Sequence, residues 1–110
     1  MKLPNRGNAY IPAHKLLDYL LSEIHPVGRW KARFFRSHGF DETNVDVLEK
    51  QLLSLIHSEP VKDVSQSPHG TKYIIEVTLK TPLDRILQVR TVWIIDADDN
   101  RPRFVTAYPL

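Results

Sequence analysis

The sequence predicts an α+β domain, with N-terminal helices packed on one face of a C-terminal antiparallel β-meander. Two observations carry this. Before Pro60 the apolar residues recur at three- and four-residue spacing, the period of a helix. After Pro60 they alternate, and turn-forming residues divide the alternating runs into short segments of the kind that pair as a meander. At 110 residues the chain is sized for a single domain, residues 1–110.

The elements follow in order. Residues 1–10 hold Pro4, Asn5, Gly7 and Asn8 and read as irregular. Pro12 suits a first helical turn, and Leu16, Leu17, Leu20, Leu21 and Ile24 form an apolar stripe, so a helix is expected from Pro12 to about Ile24. His25-Pro26 ends it, because a residue before proline avoids the α region. A second helix starts near Pro26, carries Trp30 and Phe34 four apart with Ala32 and Phe35 nearby, and stops at Gly39. The third opens at Thr43, where Thr43 and Asp46 resemble a capping box, and buries Leu48, Leu52, Leu55 and Ile56.

Beyond Pro60, Val61–Ser65 is a short strand candidate and Pro68-His69-Gly70 is a turn. Thr71–Lys80 alternates, with Tyr73, Ile75, Val77 and Leu79 on one face. Thr81–Asp84 turns the chain into Arg85–Ile95, the segment richest in β-branched residues, and a last strand runs from Arg103 to Tyr108. Trp93 shares its face with Leu87, Val89, Thr91 and Ile95, whereas Arg90 lies on the other. An unpaired buried charge is costly, so the helices are expected on the Trp93 face and a more open face around Arg90. Leu20, Phe34, Leu52, Val89 and Trp93 are expected to share the core.

Composition excludes several chemistries. There is no cysteine, hence no disulfide framework, thiolate metal site or cysteine nucleophile. The N-terminus lacks the apolar run of a signal peptide and no later stretch is long enough to span a bilayer, so a cytoplasmic protein without membrane contact is expected. Five histidines show no metal-motif spacing, and no metal or cofactor is expected. No glycine-rich phosphate loop and no serine nucleophile elbow is present.

Charge is distributed more tellingly than its net value of +2. Between Pro26 and Phe40 the charged residues are Arg29, Lys31, Arg33 and Arg36, with no acid, and Asp41, Glu42, Asp46 and Glu49 follow. Such a basic helix fits an anion site and equally fits a solvated face. Its aromatics, Trp30, Phe34 and Phe35, fit a nucleic-acid surface, although aromatics at helical spacing are more often core. His25 sits beside this helix, where it could move a proton near neutral pH or simply cap and pack. Arg90 with Thr106 and Tyr108 forms a polar set able to bind phosphate or an oxyanion, and ordinary cross-strand pairing explains it as well.

Three segments are recognisable: His25-Pro26-Val27-Gly28-Arg29-Trp30-Lys31-Ala32-Arg33-Phe34-Phe35, Val89-Arg90-Thr91-Val92-Trp93-Ile94-Ile95-Asp96 and Pro102-Arg103-Phe104-Val105-Thr106-Ala107-Tyr108-Pro109. With Gly70-Thr71-Lys72-Tyr73 they resemble a family of small bacterial domains of unknown function, related to C-terminal modules of bacterial polymorphic toxins. The layout of helices followed by an antiparallel sheet is similar to the barnase, EndoU, colicin D and RelE group of ribonucleases.

That resemblance implies a metal-independent endoribonuclease-like domain acting on RNA. Its catalytic candidates are His25, Arg90, Thr106 and Tyr108, and its substrate-binding candidates are Arg29, Lys31 and Arg33. Phosphate stabilisation falls to Arg90 and Lys31, and proton transfer to His25 with help from Tyr108. The chain departs from that group in having no histidine on its last strand. Two rivals stand beside this reading: a non-catalytic or antitoxin-like module with a protein partner, and a nucleic-acid-binding domain without cleavage.

Overall fold

The computed structural model describes residues 1–22, 24 and 29–110, without the side chains at 18 and 19. A 3-10 turn (Arg6–Asn8) precedes a short helix α1 (Ala13–Lys15), which passes directly into a π-helical stretch, Leu16–Leu20. Helices α2 (Arg29–Ser37) and α3 (Val45–Leu55) follow. The sheet comprises β1 (Asp63–Ser67), β2 (Gly70–Lys80), β3 (Ile86–Asp96) and β4 (Pro102–Pro109), antiparallel throughout and in sequence order. The architecture is thus the expected α+β one.

The first helix differs most from expectation. Its Leu21 N–H donates to the Leu16 carbonyl at 2.7 Å, five residues back, so the turn is wider than in an α-helix. In that turn Leu16 and Leu20, with Leu21 after them, face inward, and Leu17 is exposed; Ile24, beyond it, is also exposed. The expected boundaries at His25-Pro26 lie outside the described residues.

α2 buries Ala32 and Phe35, while Phe34 packs edge-on against Phe35 at the margin of the core and stays partly exposed, so Phe35 takes the fully buried place expected for Phe34. The helix stops at Gly39, whose φ of 96° is left-handed. Gly39 N–H donates to the Arg36 carbonyl and Phe40 N–H to the Phe35 carbonyl, a Schellman closure.

The entry to α3 also departs from the expected Thr43–Asp46 capping box. Asp41 accepts from both the backbone N–H and the hydroxyl of Thr43 instead. Asn44 donates to the Gly39 carbonyl and accepts from Asp41 N–H, and the helix begins only at Val45.

Leu20, Leu52, Val89 and Trp93 are fully buried, together with Phe35, Phe40 and Phe104. Trp93 meets Phe104 edge-to-face at 5.3 Å between ring centres. Tyr73, Ile75, Val77 and Leu79 of β2 complete this face of the sheet. β1 starts two residues later than expected, pairs with the first half of β2 as an edge strand of the sheet, and is exposed along its whole length. On the far edge the N-terminal segment runs beside β4: Tyr10 N–H donates to the Pro102 carbonyl and Phe104 N–H to the Tyr10 carbonyl.

One irregularity decides where the site lies. The β3–β4 register slips between Val92 and Trp93, which pair with Thr106 and Phe104 respectively. Val105 is therefore the extra residue of a β-bulge. Phe104 and Ala107 point into the core, whereas Thr106 and Tyr108 reach the opposite face beside Val92 and Arg90.

Candidate functional site

The sheet face away from the core carries Ile74, Glu76, Arg90, Val92, Thr106 and Tyr108, all partly exposed. Glu76, Arg90 and Tyr108 form one cross-strand row, because the register sets Glu76 opposite Arg90 and Arg90 opposite Tyr108. Arg90 Nη2 donates to Glu76 Oε2 at 2.7 Å. Lys62 Nζ stands 4.0 Å from the other Glu76 oxygen. Hydrogen bonding to Glu76, and then to Tyr108, raises the Arg90 pKa above its ordinary value. Arg90 Nε is buried and has no hydrogen-bond partner among the described residues.

The helical layer contributes to the same place. Lys31, in the first turn of α2, donates from Nζ to Thr106 Oγ1 at 3.0 Å. Its ammonium lies 5.8 Å from the centre of the Tyr108 ring and 5.6 Å from that of Trp30. Lys31 thus links the beginning of α2 to the end of β4, against the row that Arg90 centres. A shallow hollow of about 250 Å³ borders the row at Glu76, with Lys62, Thr78, Gln88 and Leu110 on its walls.

Four of the residues singled out from sequence, Arg90, Thr106, Tyr108 and Lys31, therefore come together. Arg29 and Arg33 do not join them: both are exposed on the outer side of α2. His25 lies outside the described residues. Glu76 was not anticipated, although counting outward from the Thr81–Asp84 turn would have set it across from Arg90.

The set combines a carboxylate, a guanidinium, an ammonium, a phenol and a hydroxyl. Chemically it can accept a proton, stabilise an anion and return a proton. Among the described residues no cluster of three or more histidine, cysteine or acidic side chains is arranged to hold a metal ion, and no helix is long and apolar enough to cross a membrane.

The model of a family described as a domain of unknown function, DUF6883, matches residues 2–110. The chain belongs to the DUF6883 family. No curated protein matches it. The fold of this chain is similar to that of a chain of the contact-dependent growth inhibition toxin–immunity protein complex from Klebsiella pneumoniae 342. That similarity has a TM-score of 0.72 at 19% identity and covers 96% of each chain. At this identity the likeness speaks for the fold.

Proposed function

We propose that this DUF6883 domain is a metal-independent, toxin-related endoribonuclease whose site is the Glu76–Arg90–Tyr108 row with Lys31 and Thr106. The observation that carries the reading is the meeting of one carboxylate with two cations and a phenol on the sheet face away from the core. RNA supplies its own nucleophile, the 2′-hydroxyl, so the protein needs only to move protons and hold charge.

In this reading the 2′-oxygen attacks the adjacent phosphorus and its proton passes to Glu76. Arg90 and Lys31 stabilise the charge that gathers on the phosphorane oxygens. The bond to the 5′-oxygen then breaks, and that oxygen takes a proton from Tyr108 or His25. The products are a 2′,3′-cyclic phosphate and a 5′-hydroxyl. The Arg90–Glu76 pair holds the carboxylate in place for the first step, Thr106 positions Lys31, and Arg29 and Arg33 hold the strand.

A second reading rests on the pairing of these side chains within the fold. Arg90 is engaged by Glu76 and Lys31 by Thr106, as in a surface built for support. The row would then be an interface for a protein partner, as in an antitoxin-like module.

One experiment separates the two. Purified protein is incubated at low salt, with a chelator, on a broad RNA panel beside Arg90→Ala. The enzyme reading expects chelator-resistant cleavage that falls by about 10²–10³ in the variant, the usual loss of a transition-state charge partner. An intact panel favours the interface.

A further inference from the structure

Among the described residues Trp30 is the one aromatic that is exposed. It is 53% exposed, whereas Trp93, Phe35, Phe40 and Phe104 are fully buried. Burying an aromatic ring is a large hydrophobic gain for a small domain, so an indole left half outside, with the Lys31 ammonium over it, keeps ring surface open to a ligand. The phase of α2 explains the position. Ala32 and Phe35 face the core, and Arg29, Trp30, Arg33 and Ser37 share the outer side.

The chemistry around the indole is cationic. No residue of α2 is acidic, and among the described residues neither Arg29 nor Arg33 enters an ion pair. Lys31 stands between the Trp30 and Tyr108 rings, 5.6 and 5.8 Å from their centres. The indole is thus one lysine away from the Arg90 row, with two exposed arginines on its other side.

We propose that Trp30 is a stacking platform for an unpaired base of a single-stranded RNA, adjacent to the phosphate held by Arg90 and Lys31. This rests on the ribonuclease reading and specifies its substrate. An exposed ring among cations binds polynucleotide by two additive means: the cations meet the phosphates and the ring takes a base face. Only an unpaired base can offer that face, because in a duplex both faces are stacked on neighbours. The selection is therefore for strand state, and sequence is tolerated.

The chain has two tryptophans, and one of them, Trp93, is fully buried, so the exposed one can be followed by fluorescence. The probe is a short 2′-O-methyl RNA, which lacks the attacking hydroxyl and stays intact. The single strand should quench the Trp30 component, and the same oligonucleotide annealed to its complement should not. In a labelled-oligonucleotide binding assay, Trp30→Ala should weaken single-strand affinity about 5- to 150-fold, the loss of one stacked base. Trp30→Phe should restore most of it. Unchanged Trp93 emission and melting temperature establish that both variants fold.

Equal affinity of wild type and Trp30→Ala for the single strand overturns the stacking platform and leaves the ribonuclease reading standing. Equal quenching by duplex and single strand overturns it likewise. If no RNA binds in either form, both readings fall.

Discussion

The indole of Trp93 offers a sharp test of how the core is held. Both Trp93 and Thr91 are fully buried on the same strand. Trp93 Nε1 donates to Thr91 Oγ1 at 2.9 Å, and that hydroxyl donates to the Ile75 carbonyl of the neighbouring strand at 2.7 Å. Thr91→Val preserves side-chain shape and removes the hydroxyl, leaving the indole N–H buried with no acceptor. An orphaned buried donor costs about 1–3 kcal/mol. Trp93→Phe removes the donor itself along with part of the ring, and so pays for a cavity instead. The two costs should not add. In Thr91→Val/Trp93→Phe there is no orphaned N–H, so the double variant should be more stable than the sum of singles predicts, by about 1–2 kcal/mol. Urea unfolding of the four proteins measures this, with the slope against urea held constant as the check on two-state behaviour. Strictly additive costs would mean that the indole does not depend on Thr91, and the reasoning would fail.

Three further outcomes follow from the packing and charges. Trp93→Ala should cost about 3–5 kcal/mol, the usual range for an emptied core aromatic site, read as a large fall in the denaturant midpoint. Gly70→Ala should destabilise by about 1–3 kcal/mol, because φ is 152° there and an added Cβ would press on the Ile95 carbonyl oxygen; thermal melting measures it. Glu42 is lowered from 4.5 to about 2, first by its hydrogen bonds from Arg36. A depressed carboxylate adds stability that is complete above its unfolded pKa and is lost as pH falls through the folded one. The Arg36–Glu42 contribution should therefore fade between about 4.5 and 2, and Arg36→Gln should return the Glu42 titration, followed by NMR, toward 4.5.

Much of the fold was legible because hydrophobic period is a strong signal. The alternation of Tyr73, Ile75, Val77 and Leu79, and the Thr81–Asp84 turn, identify the hairpin at the centre of the sheet. Helix detail was less legible, since a π-helical turn at Leu16–Leu20 rotates the apolar stripe without any composition mark. The entry to α3 misled for a related reason: Thr43 makes its bonds to Asp41 two residues back, a local competitor of the capping box. On β4, strict alternation would put Phe104 with Thr106 and Tyr108. The bulge at Val105 separates them, which is how a core phenylalanine and two polar residues fit on one short strand. Arg90, Thr106, Tyr108 and Lys31 were legible as residue types, whereas Glu76 needed the register. Trp30 and Phe34 look alike in sequence; only the phase of α2 tells the exposed ring from the half-buried one.

The ribonuclease reading is tested most directly by the chemical form of the new RNA end. A single-stranded RNA is incubated with wild type and with Glu76→Gln, with chelator present, and the fragments are analysed by mass. Wild type should leave a 2′,3′-cyclic phosphate, Glu76→Gln should lower its yield at least about 100-fold, and a 2′-O-methylated strand should give none. Intact RNA, or fragments ending in a 3′-hydroxyl at equal yield from both proteins, would contradict that reading.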